Sequence, residues 1–138
     1  MKSSILSHSI IFSLLISTTI LCSCHSDKVE TQKVLRHVVA FTFKEGVSIQ
    51  DQTQAIQYFK ALENKIPGLI KFEGGDDISV EGFSKGFTHC YILTFEDEAA
   101  RDAYLPHPAH MEVVDKNKPL MADLLTLDFW GEEKKSVN

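Results

Sequence analysis

The chain has 138 residues, 43% of them hydrophobic, with 14 basic and 19 acidic side chains and a formal net charge of −5. That length bounds it to a single domain, and the acidic balance argues against a nucleic-acid partner, which requires a basic footprint. Three cysteines are too few for a disulfide framework.

The first predicted element lies outside the fold. In "MKSSILSHSIIFSLLISTTILCSC" a positive Lys2 precedes an apolar run from Ile10 to Leu21, broken only by serine and threonine. The run is too short and too poorly flanked for a spanning helix and reads as an export signal over residues 1–23. "LCSC" resembles a bacterial lipobox, with aliphatic Leu21, small Ser23 and then Cys24 as the lipidation site, although Cys22 between them is less usual. The alternative is an ordinary secretory signal cut nearby, which leaves Cys24 a plain thiol. Lipidation implies attachment to a membrane without spanning it, each buried CH₂ contributing about 0.8 kcal/mol. The expected location is the envelope of a Gram-negative-type bacterium, with a polar tether over residues 24–33, much of it "HSDKVETQ". Loss of the leader takes Cys22 with it, so Cys90 stands alone and is expected to pack as a small buried hydrophobe.

Residues 34–131 carry the pattern of a soluble domain, and 132–138 read as a polar tail. "VLRHVVAFTF" is β-branched and aromatic, with His37, Val39, Phe41 and Phe43 on one face, and predicts a first strand. Ser48 is placed to cap a helix in which Ala55, Ile56, Phe59, Leu62 and Ile66 recur at helical spacing, ended by Pro67-Gly68. "LIKFEGGDDISV" predicts a second strand with a bulge or bend at Gly74-Gly75. After the loop "EGFSKG", "FTHCYILTF" sets His89, Tyr91, Leu93 and Phe95 on one face of a third strand. "EDEAARDAYL" predicts a short helix broken by Pro106, Pro108 can open a further helical segment through "AHMEVVDKN", and "LLTLDFW" closes the domain as a strand.

The order β-α-β-β-α-β predicts an α+β, ferredoxin-like split βαβ fold. Taking the first and third strands as parallel neighbours at the sheet centre sets His37 and His89 at the same end. The returning helix then brings Tyr104, His107 and His110 of "YLPHPAH" over that end, so four imidazoles and a phenol converge. Histidine exchanges protons near neutrality, with an ordinary pKa of about 6.5. A tyrosine hydroxyl beside it can orient it or hydrogen-bond a developing enolate oxygen. The plainer alternative makes His107 a helix cap, His110 a core imidazole on the sheet, and His37 and His89 half-buried strand histidines bonded to backbone. On the same reading Phe59 and Phe41 are ordinary core.

The set "RHVVAFTFKEGV", "IPGL", "GFTHCYILTFED" and "YLPHPAH" resembles the stress-responsive dimeric α/β-barrel (Dabb) family over nearly all of Leu35 to Trp130. The resemblance implies a dimeric α/β barrel and hence a homodimer. It also implies a cofactor-free site of the kind a plant polyketide cyclase of the family uses for an aldol-type ring closure. On that resemblance the catalytic pair falls on His110, as general acid/base, and Tyr104, which assists it. Ligand-binding positions fall on His37, His89, His107 and Phe59. Phe59 stands where a pocket tyrosine is expected and Met121 where the cyclase has tryptophan, so the polar corner and the substrate need not go together.

Three functions are carried forward: cofactor-free acid–base chemistry of lyase or cyclase type on a small carbonyl compound, a non-catalytic ligand-binding or stress module, and a cofactor-independent monooxygenase. No GxGxxG or other flavin or nicotinamide signature is present. The histidines lack a zinc-ligand spacing, so no metal is expected, and the partners expected are a second copy, a small organic molecule and, through the anchor alone, a membrane.

Overall fold

A computed structural model of the chain describes residues 30–135. The leader, the lipidation site Cys24 and the tether as far as residue 29 lie outside the described residues. Four strands and three helices follow in the order β1 (Glu30–Phe43), α1 (Ile49–Lys60), β2 (Leu69–Asp76), β3 (His89–Phe95), α2 (Glu98–Tyr104), α3 (Pro108–Asn117) and β4 (Met121–Lys135). The predicted tether and tail are therefore partly strand. Residues 30–33 of β1 pair with 132–135 of β4, because two long strands side by side satisfy each other's backbone even where the side chains are polar.

Local chemistry sets the helix limits. The Ser48 hydroxyl accepts from the Asp51 amide and caps α1. Asp97 caps α2 through the Ala100 amide, and His107 caps α3 with Pro108 at its first turn. Beyond α1 a 3-10 turn, Ala61–Asn64, carries the chain to Pro67-Gly68.

The sheet order is β2-β3-β1-β4 and every neighbouring pair is antiparallel. This corrects the expected parallel β1–β3 pair. A crossover through α1 makes β1 and β2 run the same way, and β3 lies between them as the hairpin partner of β2, so β3 opposes both. The register pairs His37 with Leu93 and Phe41 with His89. At about 3.4 Å per residue, the four-residue offset separates the two histidines by about 14 Å along the strands. They share a face but not an end.

All three helices cover one face. Leu35, Val39 and Phe41 of β1 pack there with Tyr91, Leu93 and Phe95 of β3, Phe59 and Leu62 of the first helical segment, Tyr104 of α2 and Val113 of α3. Each such side chain, fully buried, contributes about 1.5–3 kcal/mol. The opposite face is uncovered. Cys90 is exposed on it, against the expectation of a buried thiol, because the alternation of β3 turns Cys90 away from the helices. Leu127 and Phe129 on β4 are about half exposed and share that face by their register with Val38 and Arg36.

Gly74 departs from the predicted bulge. The register shift falls between Leu69 and Lys71, while Gly74 stays paired with Tyr91 at φ +137°. A Cβ there would sit 2.2 Å from the Cys90 carbonyl oxygen and 2.9 Å from the Tyr91 ring. Glycine is needed at this position for both its conformation and its lack of a side chain.

Candidate active site

Between α3 and the β1–β4 pair lies a cavity of about 510 Å³, within the usual size range of small-molecule sites. His37 and Val39 reach it from β1, Tyr104 from α2, and His110 and Val113 from α3, with Leu124 and Thr126 of β4 on the far wall. Phe59 and Met121 also border it.

Four of the predicted residues, His37, Phe59, Tyr104 and His110, border this cavity. The Tyr104 and His110 rings lie 4.1 Å apart between centroids, tilted by 40°. His37 approaches the other side of Tyr104 edge-on at 5.9 Å. Tyr104 is 1% exposed and His37 7%. Burial drives the Tyr104 pKa well above that of an ordinary phenol, so the ring is a neutral hydroxyl donor throughout the physiological range. His110 is shifted down, first by burial and then by the neighbouring His37 and His107, against the opposing effect of its own backbone hydrogen bond.

The hydrogen bonds also define the tautomers. His110 Nδ1 lies 2.9 Å from the Leu105 carbonyl oxygen; a carbonyl only accepts, so Nδ1 carries the proton. His37 Nδ1 lies 2.6 Å from Asp128 Oδ1, and a carboxylate likewise accepts. In the neutral form each ring therefore keeps its lone pair on Nε2. Asp128 is held in turn from α2, where the Arg101 guanidinium donates to its second oxygen. Arg101, Asp128 and His37 thus form a chain from the surface to the cavity.

The other two predicted ligand contacts lie elsewhere. His107 caps α3, its Nδ1 accepting from the Ala109 amide at 3.2 Å, as the plainer reading anticipated, and it acts on His110 only through charge. His89 stacks on Phe41 at 5.0 Å with Phe43 edge-on at 5.2 Å. Its Nδ1 is 2.8 Å from the Thr88 hydroxyl and its Nε2 3.4 Å from Asp76 Oδ1. Paired with Phe41, two residues from the end of β1, it borders a separate recess of about 180 Å³ beside Ala40 and Cys90. The expected convergence of four imidazoles fails at His89 because β1 and β3 are antiparallel, and at His107 because its ring turns back to cap α3. Among the described residues no cluster of His, Cys, Asp or Glu is arranged to hold a metal ion.

Asp128 and Arg101 were not singled out from the sequence. Alternation in "LLTLDFW" does put Leu124, Thr126, Asp128 and Trp130 on one face. A carboxylate on a face that is otherwise walled by helices is a signal, yet only the β1–β4 register shows that His37 is opposite it.

Helices on one face of a four-stranded antiparallel sheet, with a histidine–tyrosine cluster beside a half-open cavity, define a ferredoxin-like α+β protein. Residues 35–131 match the family model described as the stress responsive A/B barrel domain, Dabb, and the chain belongs to that family. It is 32% identical over 100 residues to the stress-response A/B barrel domain-containing protein HS1 of Arabidopsis thaliana, covering 72% of this chain and 92% of that protein. Olivetolic acid cyclase of Cannabis sativa is 25% identical over 95 residues, 69% of this chain and 94% of the cyclase. Among solved structures, the hydroxynitrile lyase of Passiflora edulis superposes with a TM-score of 0.67 at 26% identity, covering 70% of this chain and 92% of the lyase. A dimeric ferredoxin-like protein of unknown function from a Jannaschia species gives 0.62 at 25% identity, covering 70% and 97%.

Proposed function

We propose that the chain is an envelope-anchored Dabb protein whose cavity binds a small carbonyl compound and moves its protons without a cofactor, in chemistry of lyase or cyclase type. The observation that carries this reading is the cluster itself: two imidazoles with Nδ1 occupied and Nε2 basic, on either side of one buried tyrosine. Nε2 of His110 takes a proton from the carbon beside the carbonyl, and the C–H electron pair moves into the enolate. Tyr104 donates a hydrogen bond to the enolate oxygen as its charge develops. The enolate carbon then either regains a proton or attacks a second carbonyl, whose oxygen takes the proton back. Asp128 keeps His37 in the Nδ1–H tautomer, beside the same tyrosine. A cyclase and a lyase among the similar proteins support the reaction class, since both names denote making or breaking a bond at a carbon skeleton.

The test is deuterium uptake in D₂O at the α-carbon of a 4-alkoxyacetophenone, followed by NMR. The wild-type chain is expected to accelerate exchange, and His110→Ala to lose at least about 10²-fold of that acceleration. Equal rates in the two proteins would leave the cavity as a non-catalytic binding site.

Two further parts of the proposal concern assembly. A second copy covers the helix-free face, where Leu125, Leu127 and Phe129 are exposed; dimeric ferredoxin-like neighbours support it. Acylation of Cys24 holds the domain on the envelope. Cys24→Ala is expected to release the protein from the membrane fraction, and an unchanged membrane pool would refute the anchor.

A further inference from the structure

The proton chemistry above uses one imidazole, but the site holds two. His37 rises from β1, in the sheet that floors the cavity, and His110 hangs from α3, in the helical layer that roofs it. Tyr104 stands between them, its ring 4.1 Å from that of His110 and 5.9 Å from that of His37. The two imidazole centres are then separated by no more than the sum of those distances. A carbon within reach of both Nε2 atoms needs them about 6 Å apart, which lies inside that limit even with each nitrogen at the rim of its ring.

Both rings are wired alike. Nδ1 is taken up by Asp128 in one and by the Leu105 carbonyl oxygen in the other. Among the described residues, the buried side-chain polar atoms shut off from solvent without a partner are Glu73 Oε2 and Asn117 Oδ1. Neither Nε2 nor the Tyr104 hydroxyl oxygen is one of these, so all three keep accessible surface, and all three residues line the cavity. What stands behind each ring differs. A carboxylate 2.6 Å from Nδ1 gives His37 a counter-ion when both its nitrogens carry protons. His110 has only a carbonyl there, and burial favours its neutral form. One ring is set to give a proton where the other is set to take one.

We infer that the site inverts configuration at the carbon beside a carbonyl, acting as a two-base racemase on α-branched ketones. This rests on the carbonyl reading of the cavity and adds its stereochemistry. Nε2 of His110 takes the α-proton from the helix side, and the C–H electron pair moves into an enolate whose oxygen accepts a hydrogen bond from Tyr104. The enolate is flat, with His37 facing its other side. Nε2–H of the His37 imidazolium then gives its proton to the same carbon from the sheet side, the enolate electron pair forming the new C–H bond. His110 is left protonated and His37 neutral, the state that accepts the opposite enantiomer and runs the steps in reverse.

The experiment uses the full chain and the separate enantiomers of 1-(4-methoxyphenyl)-2-methylbutan-1-one in D₂O. NMR reads deuterium at the α-carbon, and chiral chromatography reads configuration. The wild type is expected to turn each enantiomer into the deuterated other. His110→Gln and His37→Gln should each slow racemisation by at least about 10²-fold. Each variant should still exchange, without inversion, the enantiomer whose proton the remaining imidazole takes. Should a variant fail to fold, the stereochemical course of the wild type still decides. Exchange of one enantiomer alone, with retention, would make His110 a single base and overturn the inference while keeping the carbonyl chemistry. Folded variants that both lose exchange of both enantiomers would likewise deny two independent bases. No exchange from either enantiomer in the wild type rejects the inference and the carbonyl reading together.

Discussion

Tyr104 shows how far one side chain's role depends on where its neighbours sit. Removing its hydroxyl in Tyr104→Phe keeps the ring that packs on Phe95 and His110. The fold should stand, and deuterium exchange should fall about 10²-fold, the usual loss for one donor to a developing oxyanion. Asp128→Asn tests the tautomer argument separately. An amide can offer its N–H to His37 and invert the ring's proton, so exchange should fall about tenfold or more and its pH profile should change, whereas a purely structural carboxylate would alter stability alone. His110 supplies the pH dependence. Its folded pKa is lowered, so between that value and the ordinary histidine value of about 6.5 the unfolded chain binds more protons. Stability therefore rises with pH across this window and is lost as pH falls through it. Denaturation midpoints compared for wild type and His110→Gln should diverge above about pH 6.5 and converge in acid. The pairing of Tyr104 with His110 was legible in "YLPHPAH" because one proline-broken helix end carries both.

At the scale of elements, the start of α1 at its Ser48 cap and the side chains that share a face on β1 and β3 followed from capping residues and period, which act within a few positions, whereas the helix expected to run to Pro67-Gly68 gives way to a 3-10 turn after Lys60. The relation of β1 to β3 did not follow from them either. Strand direction depends on which connection crosses the sheet and which is a hairpin, and a sequence of alternating side chains reads the same in both directions. Hence His37 was placed well, by its position opposite the helix end, and His89 poorly. Strand ends were misjudged for a related reason: polar residues 30–33 and 132–135 form strand only because each has the other as partner. Gly74 offers an elemental test. Gly74→Ala must both adopt φ +137° and push a methyl group into the Cys90–Tyr91 backbone. It should cost about 2–4 kcal/mol, read as a lower urea midpoint, and should also displace Tyr91 from its contacts with Phe59 and Phe72.

For the whole molecule, the two sheet faces divide the work. One is closed by helices and holds the cavity; the other presents Leu127 and Phe129 and is proposed to meet a second copy. Leu127→Glu combined with Phe129→Glu should convert a dimer into monomers by light scattering, because burying two carboxylates in an apolar interface is prohibitive. An unchanged mass would place the contact elsewhere. Asp128 stands between those two residues, facing the opposite way toward His37. Adjacent positions on β4 thus serve different faces, and the parity of the count from Met121 decides which. Deleting a single residue early in this strand would exchange the assignments wholesale, turning the carboxylate toward the would-be partner and an aromatic ring toward the histidine. Side chains along β4 are free to vary, but the strand tolerates no change of phase.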